Sequence, residues 1–227
     1  MHVELIVLDD ERAAAQAAGE LLAEAARTGG HIALSGGKTP EHAYRTAARI
    51  QPDWSAVELW WGDERCVPPD DDRSNYLLAK RTLLDHLRQR PSDVHRVRGE
   101  LDPEEAAAEY DAALPGVRLV LNLLGIGPDG HTASLFPNTP GLGEAERLAI
   151  AAEPRLDPKV DRVTMTPPML RNADLVLFLV AGEEKAEATA RAFAGPESRA
   201  TPASMIRSQG GRTVAILDRA AASLLER

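Results

Sequence analysis

Short apolar runs alternate with longer amphipathic stretches along the whole chain. Val3–Leu8 is the first run and predicts a strand. An alanine-rich stretch follows, headed by Asp10 and reaching about Arg27. Alanine and glutamate favour helix, and aspartate favours the position that opens one. His31–Leu34 predicts a second strand, and Pro40 opens a helix to Ile50, since proline suits a first helical turn. Val57–Trp61 predicts a third strand that ends in a polar loop, Gly62 to Arg73. Helices are predicted from Ser74 to about Leu87 and from Pro103 to about Leu114. Val117–Leu124 is an unbroken apolar run of a length suited to a strand buried on both faces. Short strands near Leu148–Ala151 and at Arg162–Met165 precede the strongly apolar Leu175–Val180, which stops at Gly182. A helix from about Glu183 to Phe193, a strand Val214–Leu217 and a closing helix Arg219–Leu225 complete the pattern.

This alternation predicts an α/β fold, with a mostly parallel central sheet flanked by helices on both faces in a Rossmann-like arrangement. Val117–Leu124 and Leu175–Val180 are expected side by side, or nearly so, at its centre. There is no internal repeat. The segments Pro137–Glu146 and Gly195–Thr201 are too short to force a boundary, so residues 1–227 read as a single domain.

Composition narrows the function. The 44% apolar content is enough for a sizeable core. The single cysteine, Cys66, rules out an intramolecular disulfide and suggests a reducing compartment. The opening MHVELIVLDDER lacks the basic and apolar regions of a signal peptide, and no segment approaches the ~18 uninterrupted apolar residues of a membrane span. A cytoplasmic location is the expectation. The net charge of −9 weighs against nucleic acid or an anionic membrane as partner. It leaves room for a small anionic substrate, because a local cluster of Arg and Lys dominates its own pocket. Nothing in the sequence fixes the oligomeric state; a monomer is expected.

Candidate chemistry collects where predicted strands end. After Val117–Leu124 come Gly125, Gly127, Pro128, Asp129 and Gly130, then His131, Thr132 and Ser134. Open α/β sheets bind ligands at the carboxyl ends of their strands, and histidine is the natural proton carrier near neutral pH. Ser35-Gly36-Gly37-Lys38-Thr39-Pro40 joins a strand to a helix, where free N–H groups suit a phosphate or carboxylate. It is not a nucleotide-binding P-loop, because Ile32 stands where the first glycine is required. In Asp63-Glu64-Arg65, the arginine suits a phosphate. The two carboxylates suit either acid–base work or holding Arg65 in place. Arg162 alternates with Thr164 and Thr166 and faces either a pocket or a sheet edge. Lys185 sits near a helix start, where a cation needs a reason, either Glu183 and Glu184 or a bound anion. Asp70–Asp72 lacks the spacing of a hard-metal loop. Cys66 reads as a partly buried small side chain, and the three tryptophans as core or pocket wall.

Together these segments resemble the 6-phosphogluconolactonase family. The matching residues are Ser35-Gly36-Gly37 with Thr39-Pro40; Asp63-Glu64-Arg65 with Val67-Pro68, then Ser74-Asn75; the block Gly125 to Pro137; and Arg162-Val163-Thr164 leading through Ala173-Asp174 to Gly182 and Lys185. Pro202-Ala203-Ser204 and Leu217-Asp218 resemble the family's ending, whereas Lys38 departs from its usual small residue and is expected to lean outward or toward the phosphate. The resemblance implies a sugar-isomerase-like fold, hydrolysis of 6-phosphogluconolactone to 6-phosphogluconate, and neither metal nor cofactor. It implies His131 as general base with Asp129 holding it. It also implies a phosphorylated sugar lactone bordered by Ser35, Gly36, Gly37 and Asp63, with Arg65, Arg162 and Lys185 as the positive field. A related isomerase and deaminase of glucosamine 6-phosphate shares the Asp-Gly-His motif but carries a glutamate where this chain has Phe136. A non-catalytic sugar-phosphate sensor is the remaining alternative.

Overall fold

Alternate side chains of the central strands enter two different cores, and this sets the architecture. In the computed structural model, which describes residues 2–155 and 157–225, Leu175, Leu177 and Leu179 join one cluster while Val176, Phe178 and Val180 join another. Val214 and Ile216 separate from Ala215 and Leu217 in the same way. This period of two is what a sheet covered on both faces requires. The strands are β1 (Val3–Leu8), β2 (Gly30–Leu34), β3 (Val57–Trp61), β4 (Asp63–Arg65), β5 (Asp93–Val94), β6 (Leu119–Leu124), β7 (Ala149–Ala152), β8 (Arg162–Met165), β9 (Ala173–Val180) and β10 (Arg212–Asp218). Seven of them form a parallel sheet in the order β1-β10-β9-β6-β2-β3-β5, so β6 and β9 are neighbours as expected.

The helices are α1 (Glu11–Thr28), α2 (Thr39–Ile50), α3 (Asn75–Thr82), α4 (Pro103–Ala113), α5 (Pro167–Arg171), α6 (Ala186–Phe193) and α7 (Pro202–Met205). Helices α1, α2 and α3 feed one core, and α4, α5, α6 and α7 the other. Asp10 opens α1 by accepting the Ala13 N–H at 2.8 Å. Trp54, Trp60 and Trp61 are all buried, as core residues rather than a stacking platform.

Several sequence expectations need correction. The polar loop after β3 is not irregular throughout: Asp63–Arg65 forms β4, which pairs antiparallel with β8, and β8 pairs with β7 in a separate three-stranded sheet. The helix from Ser74 stops at Thr82. Leu83 leaves helical geometry (φ −123°, ψ −69°) with its side chain fully buried, and a single 3₁₀ turn, Leu84–His86, follows. The helix expected from Glu183 opens as a 3₁₀ turn, Glu183–Lys185, before α6. Arg219–Leu225 is not a helix but a run of turns. Its N–H groups reach back by mixed three- and four-residue steps (Ser223 to Ala220, Ala222 to Asp218), and so short a segment does not nucleate regular helix alone.

Candidate active site

The sheet order reverses between β2 and β6. From β2 the chain moves outward through β3 to β5, and from β6 it moves the other way through β9 to β10. Loops leaving two adjacent strands toward opposite sides leave a crevice, which is where open α/β sheets take ligands. Here the crevice is a cavity of about 300 Å³. The Ser35–Gly37 turn after β2 and the Gly125–His131 turn after β6 both line it. Gly37 holds φ +98°, a conformation that L side chains rarely adopt, with open space beside it. Among the described residues the Gly36 and Gly37 N–H groups have no hydrogen-bond partner in the protein. Tyr44, fully buried on α2, fixes the start of this turn. Its hydroxyl accepts the Ser35 N–H at 3.0 Å and donates to the Ser35 carbonyl at 2.5 Å.

His131 stands on the other wall. Its turn is closed by Gly127 N–H to the His131 carbonyl (2.8 Å) and Gly130 N–H to the Gly127 carbonyl (2.9 Å). The imidazole lies against Gly127, where a Cβ would sit 2.0 Å from ring atoms. Nδ1 is 2.6 Å from Asp129 Oδ1, which also accepts the His131 backbone N–H at 3.1 Å. A carboxylate only accepts, so Nδ1 carries the proton of the neutral ring and Nε2 is left as the basic nitrogen. Burial alone would raise the Asp129 carboxyl, but its hydrogen bonds with His131 and, when the ring is protonated, the charge of that ring outweigh burial and hold it below the ordinary range. Asp129 does not line the cavity; it sits behind the histidine. Phe136 packs on the ring from another side, with centroids 4.8 Å apart, so that side of the imidazole is apolar.

The positive wall comes from the small sheet. Arg65 on β4 and Arg162 on β8 are direct antiparallel partners, and both line the cavity. Like charges directly opposite are unfavourable unless something negative joins them. Arg162 is 4% exposed, and burial first, then the charge of Arg65, push its guanidinium below its ordinary value, while Asp63 opposes the shift. Arg65 donates to the Arg73 carbonyl at 2.6 Å, and its buried Nε has no partner among the described residues. Lys185, from the turn after β9, completes the wall and forms no ion pair among the described residues.

Asp63 and Glu64 divide two roles that the sequence left open. Asp63 lines the cavity, and Ser134 Oγ donates to its Oδ2 at 2.6 Å. Glu64 is 2% exposed and faces away into structure. It accepts N–H groups of Arg65, Asn75 and Tyr76, each at 2.7 Å, and the Ser74 hydroxyl at 3.1 Å, closing the open N-terminus of α3. It therefore holds the Arg65 backbone rather than its guanidinium. Burial of Glu64 raises its carboxyl despite these donors.

The fold thus brings Ser35, Gly36, Gly37, Asp63, Arg65, His131, Arg162 and Lys185 to one cavity, with Asp129 one step behind. Lys38 is not among them; it borders a separate surface depression with Asp10, Arg12 and His42. Burial raises the Cys66 thiol to about 11, which leaves little thiolate near neutral pH, and Cys66 does not line the cavity. Sequence reasoning assigned no role to two further cavity residues. Asn75 follows a helix cap with nothing local to say where its amide points, and Asp157 lies in the connection between β7 and β8 without any motif. A larger cavity, about 680 Å³, lies between the Leu135 segment and β7, but it holds no histidine and its Arg147 is paired with Glu144.

The family described as glucosamine-6-phosphate isomerases/6-phosphogluconolactonase matches residues 9–215. The chain is similar to a 6-phosphogluconolactonase of Streptomyces coelicolor, with 37% identity across 99% of this chain and 95% of the relative. It is also similar to one of Haemophilus influenzae, 36% identical over 204 residues, which span 86% of this chain and 87% of the relative. Among solved structures, 6-phosphogluconolactonase from Trypanosoma brucei superposes with a TM-score of 0.86 at 27% identity, covering 99% of both chains.

Proposed function

The chain belongs to the glucosamine-6-phosphate isomerase/6-phosphogluconolactonase family, and within it we propose that this protein hydrolyses 6-phospho-D-glucono-1,5-lactone to 6-phospho-D-gluconate, the second step of the oxidative pentose phosphate pathway. The observation that carries this reading is a histidine with its basic nitrogen free, backed by a carboxylate and sharing one cavity with three cations.

In this mechanism His131 Nε2 takes a proton from water as the water oxygen bonds to the lactone carbonyl carbon. Asp129 keeps the ring in the right tautomer and stabilises the imidazolium that forms. Negative charge develops on the former carbonyl oxygen, where the unpaired N–H groups of Gly36 and Gly37 serve as donors already in place. The bond from that carbon to the ring oxygen then breaks, and the imidazolium returns its proton to the departing oxygen. The product acid ionises to the gluconate. Arg65, Arg162 and Lys185 hold the unreactive phosphate, whose binding energy orients the lactone. Asp63 and Ser35 border the sugar. Water is the nucleophile, and no group of three or more metal-ligating side chains occurs among the described residues. The rate is therefore expected to be unchanged by EDTA, and loss of activity restored by one divalent ion would contradict this. We place the reaction in the cytoplasm; among the described residues no helix is long and apolar enough to cross a membrane.

The test generates the lactone in situ and follows its disappearance after subtracting spontaneous opening. His131→Ala is expected to fold normally and to lose about 10²–10⁴-fold in kcat, the usual contribution of a positioned base. Arg65→Ala and Lys185→Ala are expected chiefly to raise KM. Wild-type turnover of phosphorylated and unphosphorylated lactones at the same rate would contradict the phosphate anchor. A folded His131→Ala enzyme with full activity would remove His131 from the mechanism.

A further inference from the structure

Asn75 has no part in the mechanism above, yet it is 1% exposed and lines the cavity. Its Nδ2 donates to the Asp63 carbonyl at 2.8 Å and lies 3.4 Å from Asp63 Oδ1. A carbonyl only accepts, which fixes the orientation of the amide: the nitrogen faces Asp63, and Oδ1 faces the turn after β2. Oδ1 is buried and has no hydrogen-bond partner. A Cβ at Gly36 would lie 1.8 Å from that oxygen and 2.4 Å from Cγ. Gly36, unlike Gly37, has no positive φ, so it is the amide and not the backbone conformation that demands a glycine there.

We propose that Asn75 is a positioning residue whose single amide sets the spacing between Asp63 and the Gly36–Gly37 N–H donors. The need for a spacer follows from the charges. Asp63 is a nearby carboxylate, and the N–H groups of Gly36 and Gly37 have no partner in the protein. If the turn settled onto Asp63, those donors would be taken by its carboxylate and lost to the reacting oxygen. The Asn75 amide prevents this twice over. Its NH₂ ties down the Asp63 backbone carbonyl and approaches the carboxylate at 3.4 Å, to which the Ser134 hydroxyl also donates, and its oxygen fills the space into which Gly36 would move. An amide oxygen left unpaired in a buried place is unfavourable, and here it stands at the one point where it holds two walls of the site apart.

This inference rests on the lactonase reading, and the experiment separates the two. Asn75→Ser removes the amide, while the backbone N–H that Glu64 accepts remains. The variant is expected to lose about 10- to 100-fold in kcat, the scale of a small misplacement of catalytic groups, with KM changed by less than about threefold because the phosphate anchors are elsewhere. The acid limb of its pH–rate profile is expected to stay in place, since the His131–Asp129 pair is untouched. Gly36→Ala is expected to cost at least about tenfold in kcat in the wild type and less than about threefold in the Asn75→Ser background, because the clash is gone. Thermal unfolding checks that each variant is folded. If Asn75→Ser does not fold, the nearly isosteric Asn75→Asp, which cannot donate to the Asp63 carbonyl, and Gly36→Ala alone give the same reading. An Asn75 variant with wild-type kcat, or strictly additive effects at 36 and 75, overturns the inference. A wild-type protein without lactonase activity overturns the functional reading instead.

Discussion

Gly127 and His131 show why some site residues are legible as types but not as partners. The sequence places two glycines beside a histidine after a buried strand, which makes the loop a candidate for binding a ligand. It does not say that the imidazole lies on the Cα of Gly127, with room for nothing larger than hydrogen. That contact makes a prediction. In Gly127→Ala the new methyl meets the ring at 2.0 Å, so His131 must swing away from Asp129. The fold is expected to survive with a modest loss of stability, the share due to the broken His131–Asp129 pair, whereas kcat falls about 10²-fold. Wild-type kcat in this variant would show that the ring's resting position is not its working one. Asp129 adds a pH-dependent effect. Its folded-state pKa is lowered, so it contributes stability above the ordinary carboxylate value of 3.8 that is lost as pH falls through the lowered value. The stability gap between wild type and Asp129→Asn is therefore expected at pH 6 and expected to close in strong acid, as read by denaturant melts at each pH.

At the scale of elements, apolar runs and alternating apolar and polar side chains were the readable part. Strands β1, β3 and β8 begin and end where the pattern of side chains places them, and the central pair β6 and β9 follows from their uninterrupted apolar character. The two shortest strands, β4 and β5, were not readable, because at two or three residues only tertiary pairing makes them. Strand β4 is three residues of Asp-Glu-Arg, a sequence with no strand preference, and it is a strand because β8 runs beside it. That pairing sets Arg65 opposite Arg162, so the least legible element carries one of the cations of the site. Helix α2 gives the corresponding prediction. Tyr44 closes both backbone groups of Ser35 with one hydroxyl, and burial raises that phenol far above its ordinary value, so it stays a neutral donor. Tyr44→Phe leaves two buried groups unpaired and is expected to cost about 1–3 kcal/mol of stability. It also loosens the turn that carries the Gly36 and Gly37 donors. A parallel fall in kcat, without a matching rise in KM, is the expected sign that the hydroxyl serves the site as well as the core. An unchanged melting temperature would show that water replaces it.

Across the whole molecule, net charge and local charge point in opposite directions. The chain carries −9 overall, yet the cavity gathers Arg65, Arg162 and Lys185 around the place assigned to a phosphate. A global count weighs against nucleic acid and says nothing of a pocket, because the fold, not the sequence order, brings these cations together from two strands of the small sheet and the turn after β9. The surplus acid is distributed over the surface, and some of it is paired. Hydrogen bonds from Arg73 hold Asp71 at about 2, and those from Arg96 hold Glu100 at about 2. Backbone N–H groups of the Glu144–Arg147 turn, with the Arg147 guanidinium, hold Glu144 at about 2. Each folded-state value lies below the ordinary one, so the associated stability is present above the ordinary carboxylate range and is lost as pH falls toward 2. The chain, already past its pI of about 5.2, grows steadily more positive over the same interval, and self-repulsion adds to the loss. The melting temperature is therefore expected to be level near neutrality and to fall between pH 4.5 and 2. Because these carboxylates are solvent-facing, the share due to their pairs is expected to shrink with added salt, as screening shortens their reach to a few ångströms at about 1 M. A melting temperature that holds level down to pH 2 would mean that the core alone, two apolar layers on one parallel sheet, outweighs every surface pair.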